Sequence, residues 1–362
     1  MIMRIKKALF LGTLCTAVSG MSLFAQAGVS YAKSAKETTE ASSEEATEVE
    51  TEEETSEEVT YPITIEHAFG ETVIESKPER IATVGWGNQD TPLALGIAPV
   101  GVSAANYGLV TDHKLHLWTD EAFADLGVEE PVVFDDVDGL DFEQISDCNP
   151  DVILAAYSGM TQEDYDTLSQ IAPVIPYKEN PWQTSWREQT IENAEGMGMK
   201  PEGEKKVKEV EDLIDEKLEE YPELEGIPTA FCWISADDFS TFYVYLPTDP
   251  RAAYLLDLGF TLPESVQKLA GESNDFSITV SRENADQLDD IEMMVVYGDE
   301  NLVETLQEDK LMSQIPAIKN GAVVVLDSTS ALAASSTPSI LSIPYEIDEY
   351  LEMFAKAAEN IK

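Results

Sequence analysis

Positive charge is scarce in this chain. It holds 22 lysines and arginines against 70 aspartates and glutamates in 362 residues, a formal net charge of −48. That balance excludes a nucleic-acid binder, because phosphates demand a basic footprint. It also excludes direct docking on an anionic membrane surface. Histidine is scarcer still: His67, His113 and His116 complete the set. With none in the second half, no triad base stands there. A zinc or manganese site spanning both halves would need carboxylates alone from the second. Cysteine is limited to Cys15, Cys148 and Cys232, which makes no disulfide framework. Cys148 and Cys232 are expected to act as small buried hydrophobes.

Long apolar runs are missing too. The N-terminus carries Arg4, Lys6 and Lys7, then an apolar stretch from Ala8 to Val18. That stretch falls short of the roughly 20 residues a bilayer-spanning helix needs. Small residues follow at Ala25-Gln26-Ala27 and Ser30-Tyr31-Ala32. A basic start, a short apolar core and an A-x-A site describe a secretory signal peptide over 1–32. Export to the outer face of the membrane or to the cell wall is expected. Gly12-Thr13-Leu14 before Cys15 departs from a lipobox, so lipidation at Cys15 would be atypical. Residues 33–60 form an acidic spacer: Glu37 to Glu58 contains eleven glutamates and no lysine, arginine or aromatic. Such a segment cannot offset its chain entropy by burial, and it is expected to be a disordered, extended tether.

The remainder, from Val59, holds 59 acids against 17 lysines and arginines, a net of −42. Its pattern alternates short apolar runs with helical stretches, the mark of an α/β architecture. Strands are expected at Ile81 to Val84, Pro99 to Val102, Asp151 to Ala155 and Val174 to Pro176. After them, Val207, Val210, Leu213, Ile214, Leu218 and Tyr221 recur at three- and four-residue spacing. This stripe predicts one long helix from Pro201, with Pro222 and Gly226 ending it. The strand pattern then resets at Ala230 to Ile234, Met293 to Val296 and Val323 to Leu326. The expected fold is therefore two Rossmann-like α/β lobes, 61–200 and 223–362, joined by a single long helix over 201–222. The ligand cleft lies between the lobes.

Ligands of such sheets sit at the carboxyl ends of the strands. Trp86, Tyr107, Tyr157, Trp182 and Trp233 fall there or in the loops that follow. Aromatic-tipped strand ends suit a large, flat, partly apolar ligand. The competing reading is core packing, which accounts for most Trp and Tyr in any fold. Trp86 stands between two glycines, which permits close approach. Arg187 adjoins the Trp-rich loop and is a candidate cation. His113 and His116, three apart, would share a face if helical, yet no convergent ligand set accompanies them. Gly85 and Gly87 lack the third glycine of a dinucleotide loop, and Tyr157-Ser158-Gly159 lacks a nucleophile elbow. A secreted carboxylate-dependent hydrolase stays open, because 59 acids make some pair inevitable.

Several segments resemble, in order, the iron-siderophore solute-binding proteins of ABC importers, a branch of the helical-backbone class that also binds cobalamin and haem. These are Pro78-Glu79-Arg80-Ile81-Ala82-Thr83-Val84-Gly85-Trp86, Leu93 to Val102, Phe142-Glu143-Gln144-Ile145 with Asn149-Pro150-Asp151, Leu168 to Val174, Asp249-Pro250-Arg251 with Leu255 to Phe260, and Val280 to Asp286. The resemblance implies a monomeric binding protein with no enzyme activity and no cofactor. It implies that the chain passes a ferric siderophore to a permease, haem or cobalamin being the alternatives. It implies that Arg251 contacts the ligand. It also implies that one acid per lobe docks on the permease: Glu143 on the first, Asp257 on the second.

Overall fold

A computed structural model describes residues 59–136, 139–235, 238–299 and 301–362. The expected signal peptide, Cys15 and all but the last residues of the expected spacer lie outside the described residues. Among the described residues, no helix is long and apolar enough to cross a membrane.

The first lobe opens with a hairpin, β1 (Ile63–His67) and β2 (Gly70–Ile74). Its alternating burial is that of a ribbon lying on a core. Then come β3 (Ile81–Thr83), α1 (Asp90–Ala94), β4 (Gly101–Ser103), α2 (Leu117–Asp125), β5 (Val133–Phe134), α3 (Phe142–Asp147), β6 (Val152–Ala155), α4 (Gln162–Leu168), β7 (Val174–Pro176) and α5 (Trp186–Gly196). The strands β5-β4-β3-β6-β7 form one sheet, with parallel pairing throughout. Its central strands are buried along their whole length, which is why they read as unbroken apolar runs. The helices start where side chains cap them. Asp141 accepts from Gln144 N at 3.0 Å before α3. Thr161 with Asp164, and Ser185 with Glu188, make capping boxes before α4 and α5.

The long helix α6 covers Lys200–Leu218, with Pro201 in its first turn. Its stripe of Val207, Val210 and Ile214 enters a core cluster with Phe231, Leu255, Ile347 and Leu351 of the second lobe. Its first turns lie on α5 instead: a Cβ added at Gly203 would sit 2.5 Å from the Ala194 Cβ. One helix thus packs on both lobes.

The second lobe contains β8 (Thr229–Trp233), β9 (Thr241–Tyr245), α7 (Pro250–Asp257), α8 (Glu264–Ala270), β10 (Ser277–Ser281), β11 (Met293–Tyr297), α9 (Leu302–Glu308), α10 (Pro316–Asn320), β12 (Val323–Leu326), α11 (Ala331–Ser335) and α12 (Ser342–Ala358). Its sheet order is β10-β9-β8-β11-β12. The pairs β8–β11 and β11–β12 are parallel, whereas β8–β9 and β9–β10 are antiparallel. In each lobe the chain leaves the central strand toward one edge and later returns to its other side. The carboxyl ends of β3 and β6, and of β8 and β11, are therefore topological switch points.

Candidate functional site

At the first switch point the backbone is laced by one buried side chain. Asn88 donates from Nδ2 to Val84 O at 2.8 Å and Tyr157 O at 3.0 Å, and its Oδ1 accepts from Tyr157 N at 3.0 Å. Two residues of α5 bind the same Oδ1, Gln189 at 3.2 Å and Asn193 at 3.0 Å. This holds the two strand-end loops against each other. Gly85 has φ +84°, and a Cβ there would lie 2.7 Å from Tyr157 O. Only glycine lets the loops approach this closely. Trp86 is thereby held 38% exposed, a large apolar ring in solvent.

Trp182 joins it. The two indoles lie 5.5 Å apart, and Trp182 meets Tyr157 edge-on at 5.3 Å. Trp182 has φ +60°, a strained value for a bulky residue and one that marks functional sites. Its indole also covers the bare backbone of Gly159. A cavity of about 390 Å³ opens beside it, walled by Trp86, Trp182, Leu140, Met160, Asp136 and Asp164. A narrower space of about 40 Å³ continues past Trp86 between the lobes. Tyr107, Tyr157, His116 and Asp90 line it from the first lobe, and Ala334, Pro338 and Ser339 from the second.

The lobes already touch across this gap. Tyr107 meets Tyr297 edge-on at 5.5 Å. Leu109 N donates to Ser330 O at 3.1 Å, and Ser339 Oγ donates to Asp90. Asp90 is fully buried and also accepts from Trp118 Nε1 at 2.9 Å and Thr119 Oγ1 at 2.8 Å. Burial raises its pKa to about 6, even though these hydrogen bonds favour the charged form.

Arg251 stands at the second lobe's side, its guanidinium 3.9 Å from the Tyr245 ring centroid. Its fork closes on Asp249, Nε to Oδ1 at 2.8 Å and NH2 to Oδ2 at 2.6 Å. Asp249 is 1% exposed and also caps α7 by accepting from Arg251 N at 2.9 Å. Burial alone would lower the Arg251 pKa; the Asp249 fork outweighs it. Arg251 therefore stands beside the cleft with its plane stacked on Tyr245 and its charge already neutralised. The phenols of Tyr107, Tyr157, Tyr245 and Tyr297 are all pushed up by burial, Tyr245 to about 12; Tyr107 and Tyr157 line the cleft, and Tyr245 and Tyr297 lie behind them in the second-lobe core.

The structure thus brings Trp86, Tyr107, Tyr157 and Trp182 to the cleft wall with Arg251 beside them, and it places other candidates elsewhere. Arg187 does not reach the cleft. It begins α5 and turns away to Glu211 at 2.6 Å and Asp257 at 2.7 Å, because unpaired acids of α6 and α7 lie on that side. Asp257 correspondingly is no free surface acid: it is 21% exposed and also accepts from Trp186 Nε1 at 2.9 Å. Glu143 is exposed on the first turn of α3. Trp233 ends β8 and pairs with Tyr243 at 5.7 Å, both exposed and outside the two cavity walls.

The histidines do not share a helical face. Both precede α2: His113 pairs with Asp120 at 2.7 Å, while His116 Nε2 lies 3.1 Å from Tyr107 O. Among the described residues no group of His, Cys, Asp and Glu could hold a metal ion. Tyr245 and Tyr297 escaped selection although both close strands, the signal by which Tyr157 was found. Asp90 has no signal, because nothing in a sequence of 70 acids distinguishes those that are buried.

Comparison with known proteins fits this geometry. A family model described as periplasmic binding protein matches residues 81–329. PiaA of Streptococcus pneumoniae TIGR4, solved in complex with ferrichrome, is 47% identical and superposes with a TM-score of 0.80, covering 83% of this chain and 100% of that one. The petrobactin-binding protein YclQ of Bacillus subtilis (strain 168) is 25% identical over 301 residues, 80% of this chain and 88% of that protein. SirA of Staphylococcus aureus, solved with staphyloferrin B, shares the fold at 23% identity and a TM-score of 0.62, covering 83% of this chain and 99% of that one.

Proposed function

The chain belongs to the periplasmic binding protein family and is a substrate-binding protein rather than an enzyme; from that premise we propose that it captures an electroneutral ferric hydroxamate siderophore outside the cytoplasm and hands it to an ABC permease. The observation that carries the ligand class is the charge of the cleft. Among the described residues, its two cavities are walled by Asp90, Asp136 and Asp164 and by no lysine or arginine. The nearby guanidinium of Arg251 is already paired. Three hydroxamates neutralise Fe³⁺, whereas a tris-catecholate complex carries three negative charges that this cleft would repel. Trp86, Trp182 and the tyrosines supply flat apolar surface for the ligand's periphery. The ferrichrome complex of PiaA, nearly half identical in sequence, supports the same class. Glu143, exposed at the start of α3, is the acid we assign to permease docking.

Titrating the purified protein with ferrichrome, a ferric tris-catecholate and ferric citrate, and following tryptophan fluorescence, tests the ligand class. Ferrichrome is expected to quench strongly and to bind at least a hundredfold more tightly than the anionic chelates, about 2.7 kcal/mol. Equal or tighter binding of the tris-catecholate refutes the class. Glu143→Ala is expected to leave that binding intact and to reduce cellular uptake; normal uptake removes its docking role.

A further inference from the structure

The second-lobe acid that the family resemblance places on the docking surface is hydrogen-bonded across the lobes. Asp257 ends α7, the helix whose first turn carries Arg251 and whose cap is Asp249. Its Oδ2 accepts from Trp186 Nε1 at 2.9 Å and from the Arg187 guanidinium at 2.7 Å. Trp186 and Arg187 begin α5 of the first lobe, four and five residues after Trp182. Trp186 is 2% exposed and sits in the core cluster of the second lobe. Arg187 lies 4.4 Å over the Trp186 ring and reaches Glu211 of α6 at 2.6 Å. The Asp257 carboxylate therefore ties the first turn of α5 to the far end of α7, and Arg187 extends the tie to the connecting helix through Glu211.

We propose that Asp257 is a positioning residue for ligand binding: it locks α7 onto α5 and so fixes the distance between Arg251, which adjoins the cleft tyrosines, and Trp182 in the cleft wall. The proposal rests on the binding reading above. The physical reason is leverage. A helix is stiff, and α7 is only eight residues long, so its two ends move as one body. The loop from Trp182 to α5 is stiff as well, because Thr184 Oγ1 donates to Ala156 O at 2.7 Å and Ser185 caps the helix. With Asp257 in place, a ligand meets walls already at their working separation, and little ordering remains to oppose binding. With it removed, Arg187 loses a partner at a half-buried site, and the first turn of α5 loses its polar tie to α7, while the remaining cross-lobe hydrogen bonds, Leu109 N to Ser330 O and Ser339 Oγ to Asp90, lie on other elements.

The test measures ferrichrome affinity by calorimetry and thermal midpoint on the full chain, for Asp257→Asn, Asp257→Glu and Arg187→Gln. Leu306→Ala, a fully buried change in a second-lobe core cluster away from the cleft, serves as the stability control. Asp257→Asn is expected to weaken ferrichrome binding tenfold or more, and Asp257→Glu to return it to within threefold of wild type. Leu306→Ala should lower the midpoint at least as far while leaving affinity within twofold. Arg187→Gln keeps the Trp186 bond and should weaken binding by a smaller factor; it carries the test if Asp257→Asn does not fold. Unchanged affinity in Asp257→Asn overturns the proposal, and unchanged affinity with lost uptake would return Asp257 to the docking surface. If wild type itself does not bind ferrichrome, the functional reading falls first and the clamp with it.

Discussion

Arginine residues in this chain have few free positions to take. Arg80 is held by Asn149 O at 2.8 Å, and Arg282 by Asp309 at 3.2 Å. Arg187 and Arg251 have acidic partners as described. In a domain of net charge −42, Arg187, Arg251 and Arg282 are claimed by carboxylates and Arg80 by backbone carbonyls. A ligand cation therefore has to be read from partners, not from position. The consequence is testable at Arg251. Arg251→Ala would leave Asp249 charged, buried and without its fork, which costs about 3–5 kcal/mol. Urea unfolding should show that loss, and Asp249→Asn with Arg251→Gln should recover most of it. A single variant within 1 kcal/mol of wild type would mean that the pair is not held as described.

Among the elements, α6 shows where local preference and packing disagree. Alanine at position 203 should favour an isolated helix over glycine by about 1 kcal/mol. In the structure the added methyl would meet Ala194 at 2.5 Å and press α5 off α6. Gly203→Ala is therefore expected to destabilise by about 1–3 kcal/mol, measured by denaturant midpoint. A stabilised variant would show that α5 and α6 are not in close contact. The hydrophobic stripe of α6 was legible in the sequence because it repeats with the helical period. The close approach was not, because a glycine inside a helix has the same letter whether or not a neighbour needs the space. The start of α5 is hard to see for the same reason: Trp186 and Arg187 break no rule of a Trp-rich loop, and only the Ser185–Glu188 box marks it.

At the scale of the whole molecule, buried carboxyls set the pH response. Burial raises Asp90 to about 6, Glu192 to about 8 and Glu346 to about 7. In an unfolded chain such groups titrate near 4. Between about 4 and 8 the folded protein thus binds more protons than the unfolded one, so stability falls as pH rises through that window. His67 opposes this on the acid side. Burial lowers its pKa, and its Nδ1 accepts from Phe69 N at 3.2 Å. Its contribution is complete above about 6.5 and is lost as pH falls below that value. The thermal midpoint is expected to rise as pH drops from 8 to about 6, then to level or turn over. Glu192→Gln should flatten the rise. A midpoint that falls steadily from pH 8 to 6 would contradict the assignment.

The sequence by itself determined the α/β class, two lobes, the connecting helix and a cleft edged by aromatics. Each of these depends on a period or on order along the chain: apolar runs bounded by turn residues, a stripe at three and four, aromatics just past strands. Scarcity of cations, also plain in the sequence, already pointed to a pocket built from rings. Tertiary structure alone decided which charges remain free. Arg187 and Asp257 looked like a ligand contact and a docking acid, and the fold turned them toward each other. The fold also buried Asp90 and Asp249, which composition does not set apart from the other acids. Pairing and burial depend on what lies across space, and with 59 acids in the folded part the chain offers many equivalent partners among which only the three-dimensional packing chooses.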